Sequence, residues 1–282
     1  MIKTKTKKLL AIFTAIVLAL SIFLIWQNNS IVITKIEITN EKIPDNFSGY
    51  KIVQISDLHN KKFGKNQSIL LNKIENLNPD IIVITGDLID KSKTNIPVAM
   101  QFINSAVKIL PTYYVNGNHE MLSGNYNVLY QQLISAGVTV LENQKIEIIK
   151  EQQKIEILGV QDPTFSETYN SDSVVMDNIL MPLVDTNNNT YKILLSHRPE
   201  LFDVYEKYNI DLVFSGHAHG GQIRLPFIGG LFAPNQGLLP EYTAGKYIKN
   251  STTMIVSRGL GNSIFPFRVF NRPEIIFVTL NN

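Results

Sequence analysis

No cysteine occurs in the 282 residues. Disulfides, thiolate metal ligands and cysteine nucleophilic catalysis are therefore excluded, while the compartment stays open, because an exported protein without disulfides and a cytosolic one read alike. Arginine is scarce too: Arg198, Arg224, Arg258, Arg268 and Arg272 are the full set, and none precedes residue 198. There is no internal repeat, no low-complexity block and no segment with the composition of disorder. Net charge is nearly absent as well. The formal value of +2 depends on Lys3, Lys5, Lys7 and Lys8; without these four, 22 of the 26 basic residues face 24 acidic ones. The body of the chain is slightly acidic, and a surface for nucleic acid is not expected.

What is present begins at the N-terminus. The basic tail MIKTKTKK is followed by residues 9–26, a run without charge whose polar members are Thr14 and Ser21. As a helix rising 1.5 Å per residue it spans roughly 27 Å, close to the thickness of a hydrocarbon core. Trp26 at its far end suits the interface. A cleaved signal peptide is the competing reading. Its apolar region would be about 7–15 residues long with a small-x-small site after it, and Ala19-Leu20-Ser21 lies inside the run. The expected organisation is a cytoplasmic basic tail (1–8), a single-pass transmembrane anchor (9–26), a juxtamembrane segment (27–50) and one domain (51–282) on the outer side of the cell membrane.

Five short apolar runs end in residues able to ligate a metal. Residues 51–56 lead into Asp57-Leu-His59, 80–85 into Gly86-Asp87, and 112–116 into Gly117-Asn118-His119-Glu120. Residues 191–196 lead into His197, and 210–215 into Gly216-His217-Ala218-His219. Rich in branched and aromatic side chains, these runs read as strands, and their near-continuous apolarity predicts burial on both faces. Residues 68–77, 98–110 and 128–136 read as helices between them, and Pro199-Glu200 opens another. The alternation predicts an α/β architecture with its ligand site beyond the carboxyl ends of the strands. All five histidines, His59, His119, His197, His217 and His219, fall in these post-strand segments. One histidine in a turn is ordinary; five confined to such places are not.

Asp57, His59, Asp87, Asn118, His197, His217 and His219 are too many ligands for one ion and suit two that share a bridging carboxylate. Carboxylate, imidazole and amide oxygen favour Mn, Fe, Zn, Co or Ni over soft-metal chemistry. Two aspartates cancel half the charge of two divalent ions, and the remainder attracts a phosphate ester and stabilises a bound hydroxide. Two ions about 3.5–4 Å apart can hold the attacking oxygen and clamp a phosphoryl group for in-line displacement.

D-x-H, G-D, G-N-H-E, a lone H and G-H-A-H, in this order and after strands, resemble the calcineurin-like metallophosphoesterase superfamily. With its apolar N-terminus, ISDLH, VITGDLID, GNHE and GHAHGGQIRLP, the chain is similar to the bacterial membrane-associated branch, the YkuE- and YaeI-like group, over roughly residues 50 to 280. The resemblance implies a four-layer αββα sandwich of two mixed β-sheets, with 146–149, 154–160, 253–257 and 275–280 as strands of the second sheet. It implies that Asp57, His59 and His219 bind one metal, that Asn118, His197 and His217 bind the other, and that Asp87 bridges. His119 would contact the phosphate or protonate the leaving oxygen, with Glu120 orienting that imidazole or raising its pKa. Protein serine/threonine phosphatases of the superfamily carry D-R-G after their G-D. Here Gly86-Asp-Leu-Ile-Asp-Lys-Ser92 has Asp90 but no arginine, so a phosphoprotein substrate is not expected.

The expected function is two-metal-dependent hydrolysis of a phosphodiester, pyrophosphate or phosphomonoester at the cell envelope by metal-bound hydroxide. A lipid-linked or cell-wall substrate is suggested by the anchor alone, and no obligate protein partner is evident. Arg224, close behind GHAHGGQI, is a candidate substrate-binding residue; the alternative is a surface arginine paired with a carboxylate. Two apolar segments with Gly or Pro, 225–234 and 264–270, either rim the site for an acyl chain or bilayer or pack over the second sheet. A non-catalytic, metal-dependent binder of phosphorylated ligands and a nuclease are the alternative functions.

Overall fold

The computed structural model describes residues 2–263 and 265–282. Met1 of the basic tail and Ile264 of the second apolar segment lie outside the described residues. Two six-stranded sheets form the centre. The first has the order Val32–Thr39, Glu274–Asn281, Tyr50–Ile55, Ile81–Thr85, Thr112–Val115, Thr139–Val140, and the second Gly245–Lys249, Thr252–Val256, Leu212–Ser215, Lys192–Leu195, Gln153–Gly159, Gln144–Lys150. Both are mixed: Tyr50–Ile55 runs antiparallel to Glu274–Asn281 and parallel to Ile81–Thr85, and Gln153–Gly159 is antiparallel to Gln144–Lys150 and parallel to Lys192–Leu195.

The layering follows from the two-residue period of a strand. In Ile81–Thr85, Ile81 and Val83 belong to the core between the sheets, and Ile82 and Ile84 to the core under the helices. The intersheet core joins Ile52, Val83 and Val278 with Ile157, Leu212 and Phe214. Outside the first sheet, Leu70 and Ile74 of helix Ser68–Glu75 and Phe102 and Ile103 of helix Ile96–Ile109 cover Ile55 and Ile84. Outside the second, Met176 and Leu180 of helix Asp172–Leu183 and Phe202 and Tyr205 of helix Phe202–Lys207 cover Leu194 and Val213. With each such side chain contributing about 1.5–3 kcal/mol by burial, helix, sheet, sheet and helix hold one another in the expected four-layer αββα sandwich.

Two segments sit elsewhere than expected. Residues 275–280 form a strand, but Glu274–Asn281 lies in the first sheet, between Val32–Thr39 and Tyr50–Ile55. Apolarity marks a strand without naming its partner, and this partner is more than two hundred residues away. The juxtamembrane segment is also part of the domain. Val32–Thr39 edges the first sheet, and Ile43 and Phe47 are fully buried between the sheets.

The N-terminal helix, Ile2–Asn29, is uninterrupted, as befits residues without Gly or Pro. Its stretch Thr4–Asn29 is long and apolar enough to cross a membrane. Its C-terminal end rests on the domain. Phe23 meets Phe270 edge-on, with ring centres 5.6 Å apart, and the Arg272 guanidinium lies 4.8 Å from the Trp26 ring. Asn28 Oδ1 accepts from Asn262 Nδ2 (2.8 Å) and from the Arg268 amide (3.2 Å), and Lys61 Nζ donates to the Asn28 carbonyl.

Candidate metal centre

The loops beyond Tyr50–Ile55, Ile81–Thr85 and Thr112–Val115 of the first sheet meet those beyond Lys192–Leu195 and Leu212–Ser215 of the second. They bring together two groups of donors, Asp57, His59, Asp87 and His219 in one and Asp87, His197 and His217 in the other, all buried. Asp87 belongs to both. Within the first, His59 Nε2 lies 3.1 Å from His219 Nε2 and 3.5 Å from Asp87 Oδ2, and His219 Nε2 lies 3.4 Å from Asp57 Oδ1. Within the second, His197 Nε2 is 3.3 Å from Asp87 Oδ2 and 3.2 Å from His217 Nδ1.

Contacts on the far side of the rings set which nitrogen is free. His197 Nδ1 donates to the Thr85 carbonyl at 2.7 Å, leaving the Nε2 lone pair directed inward. His217 is reversed: Nε2 meets Asn235 Oδ1 at 3.2 Å and Arg198 Nη1 at 3.4 Å, and Nδ1 faces His197 Nε2. Asp57 is braced by the His217 amide, which donates to its carboxylate at 3.1 Å. His59 Nδ1 faces Asp90 Oδ2 at 3.6 Å. Two side-chain oxygens of these loops, Asp87 Oδ2 and Asn118 Oδ1, are buried without a hydrogen-bond partner. Such atoms are costly in a folded protein unless something else satisfies them. Paired imidazole nitrogens facing each other beside unpartnered oxygens fit divalent cations with nitrogen and oxygen ligands.

The backbone is bent to make this possible. Asp57, His59, Asp87, His217 and His219 all have positive φ, between 45° and 64°. Non-glycine residues in that region cost on the order of 1–3 kcal/mol each and persist at functional sites. Glycine is needed where the loops touch. A Cβ on Gly117 would lie 2.3 Å from Asp87 Oδ1, and one on Gly216 2.0 Å from Ser56 Oγ.

Burial and the two carboxylates govern the charges. Burial holds His217 and His219 well below the ordinary imidazole range, so both present lone pairs. For His197 burial acts the same way, but Asp87 outweighs it and pushes the ring up to about 10. Burial pushes the Asp57 carboxyl up, with His197 opposing it and Asp87 adding to it. The two carboxylates thus favour positive charge at the centre.

At the mouth, a cavity of about 600 Å³ is lined by His59, Asp90, Lys91, Lys93, His119 and Ser263, among others. The Lys91 amide donates to His119 Nδ1 at 3.1 Å, so the ring proton sits on Nε2, 3.3 Å from Ser263 Oγ. Glu120 does not touch that ring. Its carboxylate accepts from the amides of Asp87 (2.8 Å), Gly117 (2.7 Å) and Ile89 (3.2 Å), and so pins two ligand loops together. Burial and Asp87 push its carboxyl up to about 8. Neighbours in a helical turn do not face each other. Arg224 Nη1 donates to the Gly220 carbonyl (2.9 Å) and to Thr243 Oγ1 (3.1 Å), bracing the loop after His219. Asn235, Lys91 and Lys93 carry no periodic signal. The lysines are visible only as charges four and six residues beyond the end of VITGD.

Two buried donor groups sharing an aspartate, where two mixed sheets meet, could hold metal ions. The chain belongs to the calcineurin-like phosphoesterase family, whose model matches residues 50–221. It is 35% identical to the Bacillus subtilis metallophosphoesterase YkuE over 265 residues, covering 88% of this chain and 85% of YkuE. The Campylobacter jejuni metallophosphoesterase Cj0846 is 31% identical, over 99% of this chain and 72% of that protein. The Escherichia coli phosphodiesterase YaeI is 30% identical, over 84% of each.

Proposed function

We propose that Asp57, His59 and His219 hold one divalent cation and Asn118, His197 and His217 a second, with Asp87 between them. The protein then hydrolyses a phosphodiester, pyrophosphate or phosphomonoester at the cell envelope. The observation that carries this reading is the membership of Asp87 in both donor groups. Mn, Fe, Zn, Co and Ni all suit the donor set. When bound, such ions supply the charge that draws in a phosphoryl group and lower the pKa of a water toward ~7.

The chain's own residues do the rest. His119 directs its Nε2 proton at the cavity, where it hydrogen-bonds the phosphoryl or leaving oxygen and steadies the charge that develops there. Lys91 and Lys93 line the same cavity and meet phosphoryl oxygens there. Glu120, through three amides, keeps the Asp87 and Asn118 loops in register. A diester is favoured by analogy with the phosphodiesterase name of YaeI. We read residues 9–26 as a retained anchor with the N-terminus cytoplasmic, on the strength of the basic tail and the contacts of Asn28 with the domain. The full chain in detergent micelles with Mn²⁺ should hydrolyse bis(p-nitrophenyl) phosphate. Asp87→Ala should lower turnover by about two to three orders of magnitude; undiminished turnover in that variant would sink the assignment.

A further inference from the structure

We propose that the substrate is an amphiphile of the bilayer, a phosphoester whose hydrocarbon part lies in an apolar pocket beside the metal centre. This rests on the phosphoesterase reading above and adds its substrate class. The pocket has a volume of about 320 Å³, and Ile223, Leu231, Phe232, Pro234 and Phe265 form most of its wall. It opens next to the chemistry. Ser263 lines both this pocket and the cavity of His59 and His119, and Gly221 and Gln222 in its wall lie two and three residues after His219 in the chain. A hydrocarbon chain lying in it leaves its head group at the donor groups.

The same rim reaches the anchor. Asn262 and Pro266 line the cavity at the metal centre on one side and a groove with Leu24 and Ile25 of the N-terminal helix on the other. The pocket wall is joined to the helix-bound loop by the bridge between Ile223 and Val269 and by the Arg224 amide, which donates to the Val269 carbonyl at 3.0 Å. Val269 adjoins Phe270, the residue packed on Phe23. The hairpins that supply Leu231 and Phe232 also leave Phe227, Ile228, Leu238 and Leu239 exposed. Exposed apolar side chains clustered around a catalytic cleft mark a surface for an apolar partner. The partner this position selects is the lipid in which the adjoining helix ends.

The test compares methyl and octyl 4-nitrophenyl phosphodiesters, with the full chain in detergent micelles and Mn²⁺. The octyl ester should show a KM lower by about tenfold or more, because apolar burial favours each added methylene. Phe232→Asp and Phe265→Asp, at exposed positions, should bring the octyl-to-methyl ratio of kcat/KM close to one. Equal turnover of both esters by the unaltered protein would overturn the lipid inference and leave the phosphoesterase reading standing. A preference that survives both substitutions would assign it to partition into the micelle and equally overturn the pocket. Failure to cleave either ester would instead remove the phosphoesterase reading itself, and this inference with it.

Discussion

Asp57, His59, Asp87, His217 and His219 combine two demands at one position, a donor atom on the side chain and a left-handed backbone beneath it. Asp and His are among the few non-glycine types that enter this region with any frequency. The donor set is held by a further ring of contacts, and Asn235 is the most exposed to test. Asn235→Ala removes the acceptor from His217 Nε2. It should weaken metal binding about 10–100-fold, measured by competition with a chelating dye, while the circular dichroism spectrum stays unchanged. Gly117→Ala forces a methyl group against Asp87 Oδ1. Overpacking of this kind costs roughly 1–3 kcal/mol, so thermal denaturation should show a lowered midpoint together with loss of bound metal.

At the scale of elements, the strands that carry the centre were legible because both their faces are buried. Ile81–Thr85 is buried at every position, and a run of that kind announces itself. Val32–Thr39 is an edge strand carrying Lys35 and Glu37, and most of its residues are only half-buried or exposed. Its composition resembles a linker, and only its pairing with Glu274–Asn281 makes it a strand. The donors were legible for the same reason as the strands, since each follows one. Asn235 was not, because it sits in a turn between two-residue strands with no pattern to read. The domain boundary follows from the edge strand. A chain beginning at Ile31 should unfold in one cooperative transition. One beginning at Lys51, lacking Val32–Thr39 and the buried Ile43 and Phe47, should be recovered aggregated or unfolded, as size-exclusion chromatography would report.

At the scale of the molecule, the centre lies where the two sheets' loops converge, so cations bound there would tie the halves of the sandwich together. A ligand held only by the folded state stabilises it by about 2.7 kcal/mol at a hundredfold excess over Kd. Chelation should therefore lower the melting midpoint by roughly 5–10 °C and abolish turnover, and added Mn²⁺ should restore both. A midpoint indifferent to chelator would mean that the donor groups hold no ion.

The connection between helix and sandwich is short. Asn29 ends the helix and Val32 begins the first strand, with Ser30 and Ile31 between, and Ser30 is itself held by Arg272. Two residues reach about 7 Å. With the helix in a bilayer, such a tether lets the enzyme patrol a plane but gives it almost no vertical range. Molecules held far from the bilayer surface would have to come to it, whereas those drifting in the adjoining leaflet meet it by lateral diffusion alone.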